Sequence, residues 1–129
     1  MAASFAETAR SDYVSLTTFT KDGRPKPTAV WIAPSTADDG TFWVISQKSA
    51  WKVKRIRNTP RVTIAKCDVR GNVKGDAVEA RARLLDPSQT KAVYDAINRR
   101  YGVIGRAFSL FSRLRGGITS NIGIELSAA

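Results

Sequence analysis

The chain has 129 residues, 21 Lys+Arg against 11 Asp+Glu, no His and one Cys, for a formal charge of +10. That length predicts a single domain, residues 1–129, burying about two-thirds of its unfolded surface. Without imidazole there is no Ser-His-Asp or Cys-His nucleophile and no His-built zinc site, and a single thiol makes no internal disulfide, so redox chemistry here needs a bound cofactor.

Residues 13–20 alternate larger apolar side chains with Ser and Thr and run into Lys21-Asp22-Gly23-Arg24, a strong hairpin signal. The return strand is expected over residues 26–33. Pro25 and Pro27 lack a backbone donor, so its start belongs at an edge or a bulge. Asp38-Asp39-Gly40 is the next turn, and residues 41–46 read as a buried strand completing a three-stranded meander. Ser49 suits the N-cap of a short helix over residues 50–58, with Val53 and Ile56 on one face and Pro60 stopping it. Strand character resumes over residues 61–68 and 77–85, around Gly71 and Gly75. Asp86-Pro87-Ser88 opens a helix in which Val93, Ile97 and Tyr101 recur every four residues until Gly102. A second amphipathic stretch over residues 104–114 places Ile104, Phe108, Phe111 and Leu114 on one face and breaks at Gly116-Gly117; residues 121–126 form a last strand. Three strands, a helix, two strands, helices and a final strand predict a mainly β, α+β fold: an antiparallel sheet curled into a small barrel with helices at its edge.

The charge is uneven. Residues 1–47 carry −1, residues 48–74 carry +8 and residues 75–129 carry +3. Nine basic residues, among them Lys48, Lys52, Lys54 and Arg55, fall in the middle stretch against Asp68 alone. Such a concentration suits a solvated face, a nucleic acid, an anionic membrane surface or a small polyanion, and charge does not choose among them. No helix-turn-helix, zinc-finger or aromatic RNA-binding signature is present. No apolar run approaches the roughly 20 residues of a membrane span, and the first twelve residues lack a signal-peptide layout, so the expected address is the cytoplasm.

The segment from Ser46 to Pro60 concentrates the candidate chemistry. A strand ends in small polar residues, a helix begins, and its first turns carry Lys52, Lys54 and Arg55. Unpaired first-turn N–H groups, the Ser49 hydroxyl and the Lys52 ammonium together suit a phosphate, and a cap beside an ordinary surface charge is the plainer alternative. Trp31, Trp43 and Trp51 offer flat surfaces, Trp43 reading as core and Trp51 as the one open to a ligand ring. Cys67 lies between Lys66 and Arg70, cations that would depress a thiol pKa, although a strand cysteine more often packs. Asp76 and Glu79 read as strand-end solvation or as partners of Arg81 or Arg83.

The string Tyr13-Val-Ser-Leu-Thr-Thr-Phe-Thr-Lys-Asp-Gly-Arg-Pro-Lys-Pro-Thr-Ala-Val-Trp31 and the string Ser49-Ala-Trp-Lys-Val-Lys-Arg-Ile-Arg-Asn-Thr-Pro-Arg-Val62 resemble the pyridoxamine-phosphate-oxidase-like split barrels. They are similar above all to the actinobacterial flavin/deazaflavin oxidoreductases that use coenzyme F420. The resemblance spans essentially the whole chain and includes Arg99-Arg-Tyr-Gly-Val-Ile-Gly105 and Leu114-Arg-Gly-Gly117.

It implies a six-stranded antiparallel split barrel of the FMN-binding type, a homodimer, and two cofactor sites in grooves between subunits. It also places Thr28, Ala29 and Val30 beneath the cofactor ring and gives the phosphate grip to Ser46, Gln47, Lys48, Ser49, Trp51 and above all Lys52. A partner strand over residues 76–78, centred on Ala77, would close the groove, and Lys48, Lys54 and Arg55 would attract the acidic tail. The implied activity is hydride transfer from reduced F420 to a small electron-poor acceptor such as an enone or quinone, with no catalytic side chain and no metal assigned. FMN in the same fold, or a non-catalytic F420 carrier, are the alternatives. Neither Thr28 nor Ala29 is the Asn or Arg that would fix a cofactor through its side chain.

Overall fold

The computed structural model describes residues 4–37, 39–101 and 121–129. Among these, α1 (Phe5–Ala9) precedes β1 (Val14–Phe19), β2 (Pro25–Val30), β3 (Ile32–Pro34) and β4 (Phe42–Gln47). Then come α2 (Trp51–Asn58), β5 (Arg61–Lys66), β6 (Val78–Leu84), a 3-10 turn (Pro87–Gln89), α3 (Thr90–Tyr101) and β7 (Asn121–Ala128). The expected helix over residues 104–114 lies outside the described residues.

All strand pairs are antiparallel, in the order β2-β1-β5-β6-β7-β4-β3. The two edge strands of that order are consecutive in the chain, with only Trp31 between them. The sheet therefore curls until its edges meet at one residue. Counting β2 and β3 as one bent strand gives the six strands expected, and counting both segments gives seven.

The expected meander is corrected by the same feature. The return strand turns at Trp31, so that β2 pairs with β1 on one side and β3 pairs with β4 on the other. Pro25 and Pro27 do lie on the outermost strand of the ladder, opposite Phe19 and Thr17, where a missing N–H costs no inner bond.

Two apolar layers hold the barrel. Val14, Leu16, Val44, Val62, Ile64, Ile124 and Leu126 fill its interior with no exposed surface, joined by Phe5 and Ala9 of α1 and Val53 and Ile56 of α2. Outside the sheet, Val93, Tyr94 and Ile97 of α3 pack on Ala33, Trp43 and Ile45. Because β4 is covered on both faces, five successive residues of it are buried, whereas β6, covered on one, alternates. The helix α1 has no counterpart in the sequence expectations; Ser4 caps it, its Oγ accepting the Glu7 N–H at 3.1 Å. No helix among the described residues is long and apolar enough to cross a membrane.

Candidate functional site

The pairing of β3 with β4 ends at Ile32 opposite Val44. Past that point β4 continues through Ser46 and Gln47 paired only with β7, while the other chain has turned at Trp31 to follow β1. The predicted residues Thr28, Ala29 and Val30 on one side, and Ser46, Gln47 and Lys48 on the other, thus flank the place where the two strands part. Strand alternation then sorts their side chains. Thr28 and Val30 sit opposite Leu16 and Val14 and belong to the interior face, Val30 with 7% of its surface exposed, whereas Ala29 sits opposite Ser15 and is exposed. Any contact by Val30 to a ligand outside the barrel is confined to its backbone.

Ser46 is buried and its Oγ donates to the Gln47 carbonyl at 3.3 Å; Gln47 is half-buried, and Lys48 and Ser49 are exposed. The expected Ser49 cap is corrected. The turn is closed by the Ala50 N–H donating to the Gln47 carbonyl at 3.1 Å, so Ala50 occupies the N-cap and Ser49 lies outside the helix, off its faces. An alanine has no oxygen to offer, and α2 has neither a side-chain cap nor an acidic residue in its first turn. Its N-terminal donors and partial positive charge are left for something else.

Lys52 is half-buried beside this turn. Burial pushes its pKa below the usual lysine range, and the Arg55 guanidinium adds to the depression. Among the described residues no carboxylate pairs with Lys48, Lys52, Lys54 or Arg55. Arg55 is fixed by its Nε donating to Thr18 Oγ1 at 2.6 Å, and the Lys54 ammonium lies 4.4 Å from the centre of the Trp51 ring, which is 69% exposed. Trp51, Lys54 and Arg55 share a groove of about 210 Å3 with Phe19, Thr20 and Lys21 of the β1–β2 hairpin. Phe19 carries no sequence signal of its own, because only the register brings the hairpin end against α2.

Ala77 is exposed just before β6, whose Val78 pairs with Ile64, and β7 separates β6 from β4. In the sheet, Ala77 and the Ser46–Lys52 turn therefore do not lie on neighbouring strands. Glu79 does not pair with Arg81 or Arg83. It takes two bonds from Arg61 at 2.6 and 2.8 Å, since Arg61 is its diagonal neighbour across the β5–β6 ladder. Arg83 instead donates to Glu125, which also accepts from the buried Trp43 indole at 3.2 Å.

Cys67 is 5% exposed, and burial, with the Asp68 carboxylate second, raises its thiol pKa rather than depressing it. The expected result is slow alkylation by iodoacetamide at neutral pH in the folded chain and fast alkylation in denaturant. Equal rates in both conditions would contradict a packed thiol.

A barrel closed through one bent strand, split beside a cationic strand-to-helix turn, defines the split-barrel class. The chain belongs to the pyridoxamine 5'-phosphate oxidase family, whose model matches residues 2–116. No curated protein matches it in sequence. Among solved structures it is similar to a conserved hypothetical protein from Mycobacterium tuberculosis, with a TM-score of 0.65 and 22% identity over 95% of this chain and 77% of that one. It is also similar to an F420 reductase, with a TM-score of 0.63 and 19% identity over 100% of this chain and 96% of the other. The heme storage protein HutZ from Vibrio cholerae follows, with a TM-score of 0.63 and 16% identity over 93% and 83% of the two chains. At these identities the likeness is one of fold.

Proposed function

We propose that this protein is a coenzyme F420-dependent oxidoreductase, a single split-barrel domain working in the cytoplasm as a homodimer. The observation that carries the reading is Lys52: a half-buried ammonium with no carboxylate partner among the described residues, beside an uncapped helix start, at the edge of the barrel's split. A phosphodiester fits those donors, and Lys48, Lys54 and Arg55, which have no acid partner among the described residues, suit a run of carboxylates further along the ligand. The family binds flavins such as FMN, whose shorter and less acidic tail would leave much of that charge unused.

When bound, reduced F420 would supply a hydride to the conjugated system of an acceptor such as an enone or quinone, and solvent would supply the one proton that completes the reduction. The chain's own residues bind and orient. Lys52 and the free N–H groups of α2 hold the phosphate, with Ser49 and Gln47 at the turn. The backbone of residues 28–30 would lie beneath a flat ring at the split, beside rather than under Gly71, where an added Cβ would meet the Ala29 Cβ at 3.6 Å. The Ala77 segment of a second copy covers the groove and excludes water. No imidazole exists in the chain to act as acid or base.

Side-by-side titration of the pure protein with F420 species of increasing glutamate number and with FMN tests this. Affinity is expected to rise with glutamate number and to exceed that for FMN. Tighter FMN binding, or no dependence on tail length, would overturn it. Tight F420 binding without turnover on enones and quinones would make the protein a carrier.

A further inference from the structure

The bend at Trp31 opens two gaps, one on each side of it. On the first side residues 28–30 follow β1 while β4 runs on through Ser46 and Gln47 with β7, and the gap between them is the split beside the candidate site. On the second side Ile32 has joined β4, while the chain that enters β1 arrives from α1 through residues 10–13. Continuing the β1–β2 register past its last pair, Val14 with Val30, would set Asp12 against Ile32, but the strand has turned away before that rung can form.

Arg100, near the end of α3, occupies the second gap. Its Nη1 donates to the Ile32 carbonyl at 3.0 Å, and its Nη2 donates to the carbonyls of Arg10 at 2.7 Å and Ser11 at 3.0 Å. One half-buried guanidinium thus spans two backbones that have ceased to pair. A planar fork of five donors suits three carbonyls in fixed directions, and it does not lose its proton in a protein. The arm that carries it is anchored. Arg100 follows Ile97 by three residues, which puts it beside the face by which Val93 and Ile97 seat α3 on Ala33, Trp43 and Ile45.

The two gaps share one pivot. β1 is held by β5 and β4 by β7, so the sheet fixes the outer walls of both gaps. β2 and β3 are the two ends of the strand order and each has a neighbour on one side only, which leaves the strand that crosses at Trp31 as the part able to swing. The Trp31 ring stands at the crossing, edge to face with Tyr13 at 6.4 Å between centroids. A swing that widens one gap narrows the other.

We propose that Arg100 is a positioning residue for the split: by tying Ile32 to residues 10 and 11 it fixes the second gap, and through the crossing at Trp31 it sets the width of the first. That the first gap receives F420 rests on the functional reading above; the coupling of the two gaps does not.

Arg100→Lys keeps the charge and loses the fork. In the cofactor-free, full-length protein it is expected to shift the amide resonances of Ser46, Gln47 and Lys48 as well as those of Ser11 and Ile32. Well below the melting temperature, where both proteins are folded, it is expected to weaken F420 binding by about fivefold or more. A merely structural residue would lower the melting temperature and leave both the amides across the bend and the F420 affinity at parental values, and that result would overturn the proposal. The parent protein supplies the reciprocal measurement, which does not depend on the variant folding. Linkage requires a ligand in the first gap to act back on the second, so F420 titration is expected to shift the Arg100 Nε–H and the Ser11 and Ile32 amides. Saturation with F420 that leaves them in place would equally overturn it. Shifts across the bend in Arg100→Lys, in a protein that binds no F420, would support the coupling and remove the functional reading alone.

Discussion

Lys52→Ala is expected to lower F420 affinity by about 1.5–3 kcal/mol, roughly 10- to 150-fold, without lowering the melting temperature. Both halves follow from one fact. The ammonium is partly desolvated beside Arg55 and has no acid among the described residues to offset the cost, so the fold holds it at a disadvantage that a bound diester would relieve. The sign of the pH dependence is fixed by the direction of the shift. With its folded pKa below the unfolded value, Lys52 binds fewer protons in the folded state between the two. Its contribution to stability therefore rises as pH rises from the folded pKa through the usual 10.5. Binding runs the other way: a phosphodiester raises the pKa, so F420 affinity falls as alkaline pH removes the proton. Fluorescence titration and thermal melts at neutral and alkaline pH, on the parent and on Lys52→Ala, read both effects. Equal F420 affinity in the two proteins would take the phosphate grip away from Lys52, and a large fall in melting temperature would make the residue structural.

Much of the sheet is legible in the sequence because its signals are local. Alternation over residues 13–20, the Asp22-Gly23 turn and the apolar run of β4 specify strands without reference to the rest of the chain. The crossing at Trp31 is not local. A run from residue 26 to residue 33 with no Gly or Asn in it reads as one strand, and its division between two partners is imposed by closure of the barrel, which no window of sequence contains. The helix α1 is invisible for a related reason: five residues are too short for periodicity, and it is held by Phe5 and Ala9 docking into the barrel end together with the Ser4 cap.

The candidate site divides along the same line. The charge of residues 48–74 and the strand-to-helix junction are visible as composition and pattern, and of those cations Lys48, Lys52, Lys54 and Arg55 have no acid partner among the described residues, whereas Arg61 and Lys74 pair with Glu79 and Asp68. Which atoms close the turn is not visible, because Ser49 has the better capping side chain and Ala50 takes the position once β4 runs to Gln47. Likewise, three consecutive residues at 28–30 look equivalent in sequence, and only pairing with β1 shows that Ala29 alone points away from the interior. The partner of Glu79 also depends on register, since Arg61 is 18 residues away in the chain and diagonal to it in the sheet.

Gly123→Ala is expected to destabilise the fold by about 1–2 kcal/mol although it adds only one methyl group. Gly123 lies on β7 where α3 crosses the sheet, and a Cβ there would stand 2.6 Å from Val93 Cγ2 and 3.0 Å from Leu85 Cδ1. Overpacking of this kind costs about 1–3 kcal/mol, and loss of glycine's freedom in the unfolded chain gives back about 0.4–1. The helix cannot simply yield, because Val93 is buried, stiff at χ1 and wedged among Trp43, Ile45 and Ile97. A double-mutant cycle isolates the clash. Val93→Ala alone opens a cavity and destabilises, but in the Gly123→Ala background it removes the obstructing methyl groups, so the pair is expected to cost less than the two single changes added together. Urea unfolding of the four proteins gives the coupling. Strict additivity would place the strain elsewhere and loosen the account of how α3 is seated on the barrel, whereas favourable coupling ties the seat of α3, and through Trp43 and Ile45 the strand that ends at the Ser46–Lys52 turn, to this one glycine.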